Sequence, residues 1–193
     1  KENEARSELP YSIGLYENLN PNLKKEIVDF ASSDKMITTA SKYMKIFPIL
    51  TRVEVYLNIP REGGDLRAAM LWHKDGFGFK NLDFFMAVTE VDDDNGPFYC
   101  LEKKIQAGIF KSFENLLTRT GERNKVTIEN FDKYFKDFNK TELIGKSGSG
   151  IFLDSFSTYH RGGFCKSKDR ISLRFCYQSH DAYCDNFIKG HDY

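Results

Sequence analysis

What this sequence lacks closes off several classes of protein. It holds no apolar run approaching the roughly 20 residues that a helix needs to cross a bilayer. It has no surplus of either charge: 28 Lys and Arg stand against 28 Asp and Glu, so nothing global favours nucleic acid or an anionic membrane. Cysteine is scarce, and Cys100, Cys165, Cys176 and Cys184 have no zinc-knuckle spacing. Cys176 sits in a strand-like run and reads as a small buried hydrophobe, so a reduced, cytoplasmic setting is the expectation. The start, Lys1-Glu2-Asn3-Glu4, shows no signal-peptide pattern. With no internal repeat, low-complexity tract or interdomain linker, one domain is expected over residues 1–193. Aromatics are not lacking: 17 Phe and 10 Tyr suffice for a sizeable core.

Histidine is rare, with four in the chain, and one of them organises the reading. In Leu71-Trp72-His73-Lys74-Asp75-Gly76, an extended backbone points His73 and Asp75 to one face and Lys74 to the other. Gly76-Phe77-Gly78 would then turn the chain away and leave the two ligands at a cavity mouth. Four His and 15 Asp give about 0.3 such triplets by chance. The spacing is therefore weak until a second imidazole joins it. His160 is the partner it needs, and the three together make a two-His-one-carboxylate set that leaves open positions on a non-haem Fe(II).

Elsewhere the pattern yields scaffold. Residues 1–8 are charged and expected to be mobile. Asn20-Pro21 reads as a helix start, followed by an apolar stripe of Leu23, Ile27 and Phe30. Val53 to Ile59 alternates and stops at Pro60, a strand, and Arg61 to Asp65 is a turn. Leu66 to His73 is expected to be the next strand, and Leu82 to Val91 a central, covered one. Asp92-Asp93-Asp94-Asn95-Gly96-Pro97 is a strong turn signal, a solvated acidic loop without calcium-ligand spacing. Ile105 to Arg119 has helical period and stops near Gly121, and Thr127 caps a second helix carrying Ile128, Phe131, Phe135 and Phe138. This helical excursion, about residues 103–147, either covers a site or is structural padding.

Gly148 to Asp154 reads as a short buried strand, and Arg170 to Gln178 as a long alternating one. On the latter, Arg170, Ser172, Arg174, Cys176 and Gln178 share a face, and Ile171, Leu173, Phe175 and Tyr177 share the other. The polar face is expected to line a pocket and the apolar face to lie under helices. Many short strands with helices set before and between them fit a mainly β fold, the double-stranded β-helix or jelly roll.

Three pieces in order, Trp72-His73-Lys74-Asp75, then Val91 to Phe98, then Phe152-Leu153-Asp154 through His160 to Arg170, resemble the phytanoyl-CoA dioxygenase-like branch of the Fe(II)/2-oxoglutarate oxygenases. The resemblance covers about residues 50–180. It implies that His73, Asp75 and His160 bind iron and that Arg170 pairs with the distal carboxylate of 2-oxoglutarate, with Arg174 the runner-up. A guanidinium suits that task because its fork donates two parallel hydrogen bonds to one carboxylate. Ser172 falls where some oxygenases add a hydroxyl to the same carboxylate, Phe85 falls near a position where relatives place an aromatic against the cosubstrate, and Tyr56 could hydrogen-bond it; for Phe85 and Tyr56, core packing is the favoured competing reading. Two departures stand out. Lys74 replaces a neutral amide, and Tyr99-Cys100-Leu101-Glu102-Lys103 replaces a Gly-Ser-His stretch after the Gly-Pro turn.

The implied activity is dioxygenase chemistry with Fe(II), 2-oxoglutarate and O2, hydroxylating a small organic molecule with release of succinate and CO2. Asp75 favours hydroxylation, because related halogenases have a small residue there. Arg161, Lys166, Lys168, Arg170 and Arg174 against Asp169 form a basic stretch, from which Arg161 and Arg174 are candidates to attract an anionic substrate; a solvated basic loop is the alternative. Three other readings stay open. The same centre can act on a protein side chain or nucleic-acid base, a catalytically silent jelly roll can retain the triad, and a zinc or manganese hydrolase can use it. The oligomeric state is not readable.

Overall fold

The computed structural model describes residues 11–60, 68–75, 80–102, 112–113, 115 and 125–180. In chain order, β1 (Ser12–Gly14) is followed by helices α1 (Pro21–Ala31) and α2 (Asp34–Met44), then β2 (Ile49–Asn58). Next come β3 (Trp72–His73), β4 (Asn81–Ala87), β5 (Phe98–Leu101), β6 (Lys125–Val126) and α3 (Ile128–Phe135). The described part ends with β7 (Lys140–Leu143), β8 (Gly150–Leu153), β9 (His160–Arg161) and β10 (Arg170–Gln178). These strands form two five-stranded antiparallel sheets, ordered β1-β2-β10-β4-β8 and β6-β3-β9-β5-β7. This is the jelly roll that the sequence pattern anticipates.

The alternation of β10 fixes the layering. Leu173, Phe175 and Tyr177 pack outward with Ala31, Met36, Ala40 and Met44 of the two helices, and the Tyr177 hydroxyl donates to the Ala31 carbonyl at 2.7 Å. Arg170, Ser172 and Arg174 face inward to a cavity between the sheets. α1 starts as expected: Asn20 Oδ1 accepts from the Leu23 amide at 2.9 Å with Pro21 at the first helical position. Of its stripe, Ile27 packs on the core and the Phe30 ring meets Phe84 and Phe175 with centroids 6.3 and 5.7 Å apart, while Leu23 and Phe30 remain 39% and 42% exposed and Ala31 is buried. α2 has no counterpart among the sequence expectations; Met36, Ala40 and Met44 recur every four residues and cover the sheet.

The second sheet has its own core on its outer side: Trp72, Leu101, Phe113, Val126, Phe131, Phe135 and Tyr159. Trp72 stacks on Phe131 with ring centroids 4.2 Å apart. Thr127 Oγ1 caps α3 by accepting from the Asn130 amide at 3.2 Å. The excursion over 103–147 is thus not wholly helical: β6 pairs with β3, and β7 pairs with β5.

The strand expected over Leu66 to His73 is corrected. Among the described residues of that stretch, Ala68–Met70 is a 3-10 turn and Trp72–His73 alone is a strand. Coiling there brings the Ala69 carbonyl to the Gly162 amide at 2.7 Å, which ties together the two segments that carry the histidines. The expected Leu82 to Val91 strand ends at Ala87, after which Val91 bridges to Gly145. The Arg61 to Asp65 and Gly76 to Gly78 turns, the tail 1–8, Cys184, and most of the Ile105 to Arg119 helix with its stop at Gly121 lie outside the described residues. Within that helix, Ser112, Phe113 and Asn115 are helical and Phe113 is fully buried.

Candidate metal centre

His73 and His160 face one another directly as a cross-strand pair of β3 and β9, with ring centroids 4.4 Å apart. Asp75 follows two residues after His73, and its amide donates to the Ser155 carbonyl at 3.0 Å, which fixes the chain where β3 ends. The ligand atoms of the three residues lie within 4.8 Å of one another. His73 Nε2 and His160 Nε2 stand 3.7 and 3.8 Å from Asp75 Oδ1. Residues 87 positions apart in the chain thereby meet at one point.

The ring tautomers follow from the backbone. His73 Nδ1 lies 2.7 Å from the Leu71 carbonyl and His160 Nδ1 lies 3.0 Å from the Thr158 carbonyl. A carbonyl only accepts, so each Nδ1 carries the proton and each Nε2 turns a lone pair toward Asp75. Burial first, then neighbouring His73, push His160 down to about 4, so its ring is neutral near pH 7. Burial pushes the Asp75 carboxyl up, but Arg174, His160 and His73 outweigh it and hold it below the usual carboxylate value. Two imidazoles that each turn Nε2 inward, together with an ionised carboxylate, are the donor set that a divalent first-row metal takes. Outer hydrogen bonds from each Nδ1 to a carbonyl are the supports such ligands ordinarily have.

A cavity of about 400 Å3 opens on this point, the size of a small-molecule site. Arg170, Ser172, Tyr56, Asn58 and Phe85 from the first sheet line it, as do His73, Phe98, Leu143 and His160 from the second. Arg170 is buried and held by Asn58 Oδ1, which accepts from its Nε and Nη2 at 3.3 and 3.0 Å. Its Nη1 is buried with no hydrogen-bond partner among the described residues. Burial pulls its pKa down, the direction of a cation held by a neutral amide with no carboxylate paired to it among the described residues. A carboxylate entering the cavity would answer both deficits. Phe85 stacks on Phe98 at 4.4 Å. Tyr56 hydrogen-bonds Glu54, and burial together with that carboxylate raises its hydroxyl to about 12.

The two candidate substrate arginines go elsewhere. Arg161 follows His160 on β9 and so faces away from the cavity, its guanidinium 4.0 Å from the Tyr99 ring centroid and 5.4 Å from that of Trp72. Arg174 lines the cavity but is bound to carboxylates, at 2.5 Å from Asp75 Oδ2 and 2.6 Å from Asp83 Oδ2. Lys168 pairs on the surface with Asp92. Sequence reasoning passed over Asn58, Asp83 and Ser155. The signal for Asp83 is its place on β4: Asn81, Asp83 and Phe85 alternate onto the inner face, and a lone carboxylate in an apolar strand needs a partner. Ser155 Oγ donates to Asp83 Oδ2 at 2.5 Å and accepts from Asn81 Nδ2 at 2.8 Å. Cys100 stands across from His160 on β5; burial, then Glu102, raises its thiol to about 11.

Glycine is required where the loops beside the site meet. A Cβ at Gly163 would lie 2.3 Å from the Pro97 carbonyl oxygen, and Gly96 has φ +71°. Two cavity-side turns can therefore press together backbone to backbone.

No protein-family model matches the chain, and no curated protein matches it. Solved structures do. EctD from S. alaskensis, solved with 2-oxoglutarate and 5-hydroxyectoine, matches with TM-score 0.58 and 15% identity over 93% of this chain. AviO1 from Streptomyces viridochromogenes Tue57 matches with TM-score 0.57 and 12% identity over 90% of this chain. SnoK, a non-haem α-ketoglutarate-dependent carbocyclase from nogalamycin biosynthesis, matches with TM-score 0.56 and 11% identity over 91% of it. The chain spans 60% of the EctD structure and 69% of each of the other two. At such identities the likeness concerns architecture: this chain has the double-stranded β-helix fold on which these enzymes are built.

Proposed function

We propose that the protein is an Fe(II)- and 2-oxoglutarate-dependent oxygenase, of the phytanoyl-CoA dioxygenase-like kind, that hydroxylates a small organic molecule. One observation carries this reading: two imidazole Nε2 atoms and Asp75 Oδ1 converge on a cavity that also holds a buried arginine with an unpartnered Nη1. EctD was solved with 2-oxoglutarate and also with bound Fe, and SnoK is an α-ketoglutarate-dependent enzyme, which supports the same assignment.

His73, Asp75 and His160 would hold the metal, and Arg170 the distal carboxylate of 2-oxoglutarate, with Ser172 beside it. When bound there, Fe(II) with 2-oxoglutarate and O2 would supply the oxidising chemistry, with one oxygen atom of O2 going into succinate as CO2 is lost and the other into a substrate C–H bond. The chain's own part is placement. Asn58 holds two nitrogens of the Arg170 fork, so Nη1 is aimed without further ordering. Leu71 and Thr158 fix the proton on each Nδ1 and leave each Nε2 as a donor. Phe85 and Phe98, stacked beside His160, give the cavity a dry wall.

The substrate is read from what remains of the lining. Met70, Met86, Val91, Phe98 and Leu143 are apolar, and of the basic residues that suggested an anion, Arg161, Lys168 and Arg174 are engaged elsewhere. A small, largely apolar molecule fits this wall better than an anion. Among the described residues no helix is long and apolar enough to cross a membrane. The buried free thiols of Cys100, Cys165 and Cys176 agree with the proposed cytoplasmic setting.

The test is anaerobic Fe(II) titration followed by succinate release from 2-oxoglutarate in air. Wild type is expected to bind one Fe(II) and His73→Ala none. Arg170→Ala should keep Fe(II) and need about 10–100-fold more 2-oxoglutarate, the worth of a charge-assisted hydrogen-bond pair. Equal Fe(II) binding by wild type and His73→Ala, or succinate release indifferent to Arg170, overturns the assignment.

A further inference from the structure

The two oxygens of Asp75 are divided between two jobs. Oδ1 faces the Nε2 atoms of His73 and His160 at 3.7 and 3.8 Å. Oδ2 accepts from Arg174 Nη2 at 2.5 Å. Arg174 cannot drift with the carboxylate, because it is held on its other sides. The same Nη2 donates to Asp83 Oδ2 at 2.6 Å, Glu54 Oε2 lies 3.7 Å from Nη1, and the Phe85 ring centroid lies 5.1 Å from the guanidinium carbon. Asp83, fully buried on β4, is anchored by Ser155 Oγ, which is anchored by Asn81. Ser155 also accepts the Asp75 amide through its carbonyl, so one residue braces both the backbone and, through Asp83 and Arg174, the carboxylate of Asp75.

We propose that Arg174 is a positioning residue that reserves Oδ2, so that Asp75 offers a bound ion one oxygen. This rests on the reading of His73, Asp75 and His160 as metal ligands. Its consequence is selective. An unrestrained carboxylate can close on a cation through both oxygens and fill a position that a facial triad leaves open. A guanidinium nitrogen that keeps one oxygen leaves that position to small molecules from the cavity. Lys would reproduce this in part: an ammonium can donate to Asp75 and Asp83 from one nitrogen as Nη2 does, but it has no second nitrogen to turn toward Glu54 and no planar face to lie on the Phe85 ring.

The experiment needs no turnover. Co(II) is added to the protein labelled with 13C-carboxyl aspartate, and infrared difference spectra record the separation of the symmetric and antisymmetric carboxylate stretches. Wild type is expected to show the wide separation of a one-oxygen carboxylate. Arg174→Gln should narrow it to the two-oxygen pattern, Arg174→Lys should fall between, and Asp83→Asn should shift it in the same direction by less. A two-oxygen pattern in wild type overturns the proposal without any variant, as does an unchanged separation in folded Arg174→Gln. Where Arg174→Gln fails to fold, an unchanged separation in Asp83→Asn overturns it. Failure of wild type to bind Co(II) is a different result: it removes the metal site itself.

Discussion

The three central strands of the first sheet run seven to ten residues, whereas all strands of the second run two to four. The ladder β2-β10-β4 is continuous enough to hold Arg170, Ser172 and Tyr56 by backbone hydrogen bonding alone. β3 and β9 share a single residue pair, His73 with His160, too short to fix two imidazoles by themselves. What holds them is behind them. Trp72 and Arg161, the neighbours that point the other way, sink into rings of Phe131 and Tyr99. The wall that carries Arg170 and Ser172 is thus held by backbone, and the wall that carries His73 and His160 by aromatic packing.

Truncating one core ring in each sheet gives the strongest contrast. Phe131→Ala and Phe175→Ala should each cost about 3–5 kcal/mol in urea unfolding, since both rings are fully buried. Measured where both variants remain folded, Co(II) affinity should fall roughly tenfold or more in Phe131→Ala and stay near wild type in Phe175→Ala, because loss of support behind metal ligands typically costs 10–100-fold. Equal losses would erase the distinction between the walls.

Acid sharpens it next. An unfolded chain's histidine titrates near 6.5, whereas His160 in the fold takes its proton only near 4. As pH falls the unfolded state binds the proton first. Stability of the metal-free protein present above pH 6.5 is therefore lost progressively down to about 4, by about 3 kcal/mol in all. Asp75, held below its usual value, adds a loss of the same sign at lower pH. Urea midpoints compared near pH 7.5 and 5 should drop more in metal-free wild type than in His160→Asn, and no such difference should attend Ser172→Ala on the opposite wall.

The smallest effect concerns the helix caps. Asn20→Ala and Thr127→Ala should each lower stability by about 1 kcal/mol. Of the two, Thr127→Ala should also weaken Co(II) binding measurably, because α3 carries Phe131 and Phe135 against the metal strands.

Legibility in the sequence follows the same division. β10 was readable because nine residues of strict alternation declare both faces, and its polar face does meet the cavity. The Asn20 and Thr127 starts were readable because caps are local chemistry. Strands of two residues carry no period, so β3 was mistaken for the end of a longer run that in fact coils at Ala68–Met70. β7 lay unseen in what read as a helical excursion, since four residues on an exposed edge show no alternation. For the site, residue type and order suggested His73, Asp75 and His160, but the roles of the arginines depended on distance. Arg161 and Arg174 looked like surplus charge because Tyr99, Trp72 and Asp83, their partners, lie 62 to 91 positions away in the chain.

Cys100 occupies the place opposite His160, where a soft donor would be a rival for any thiophilic ion. With its thiol held near 11, sulfur there stays protonated and silent at cellular pH. Were the proposed iron centre formed beside it, a sulfur kept protonated would be a slow target for the oxidants such chemistry releases, so the same burial that packs the strand would also shelter it.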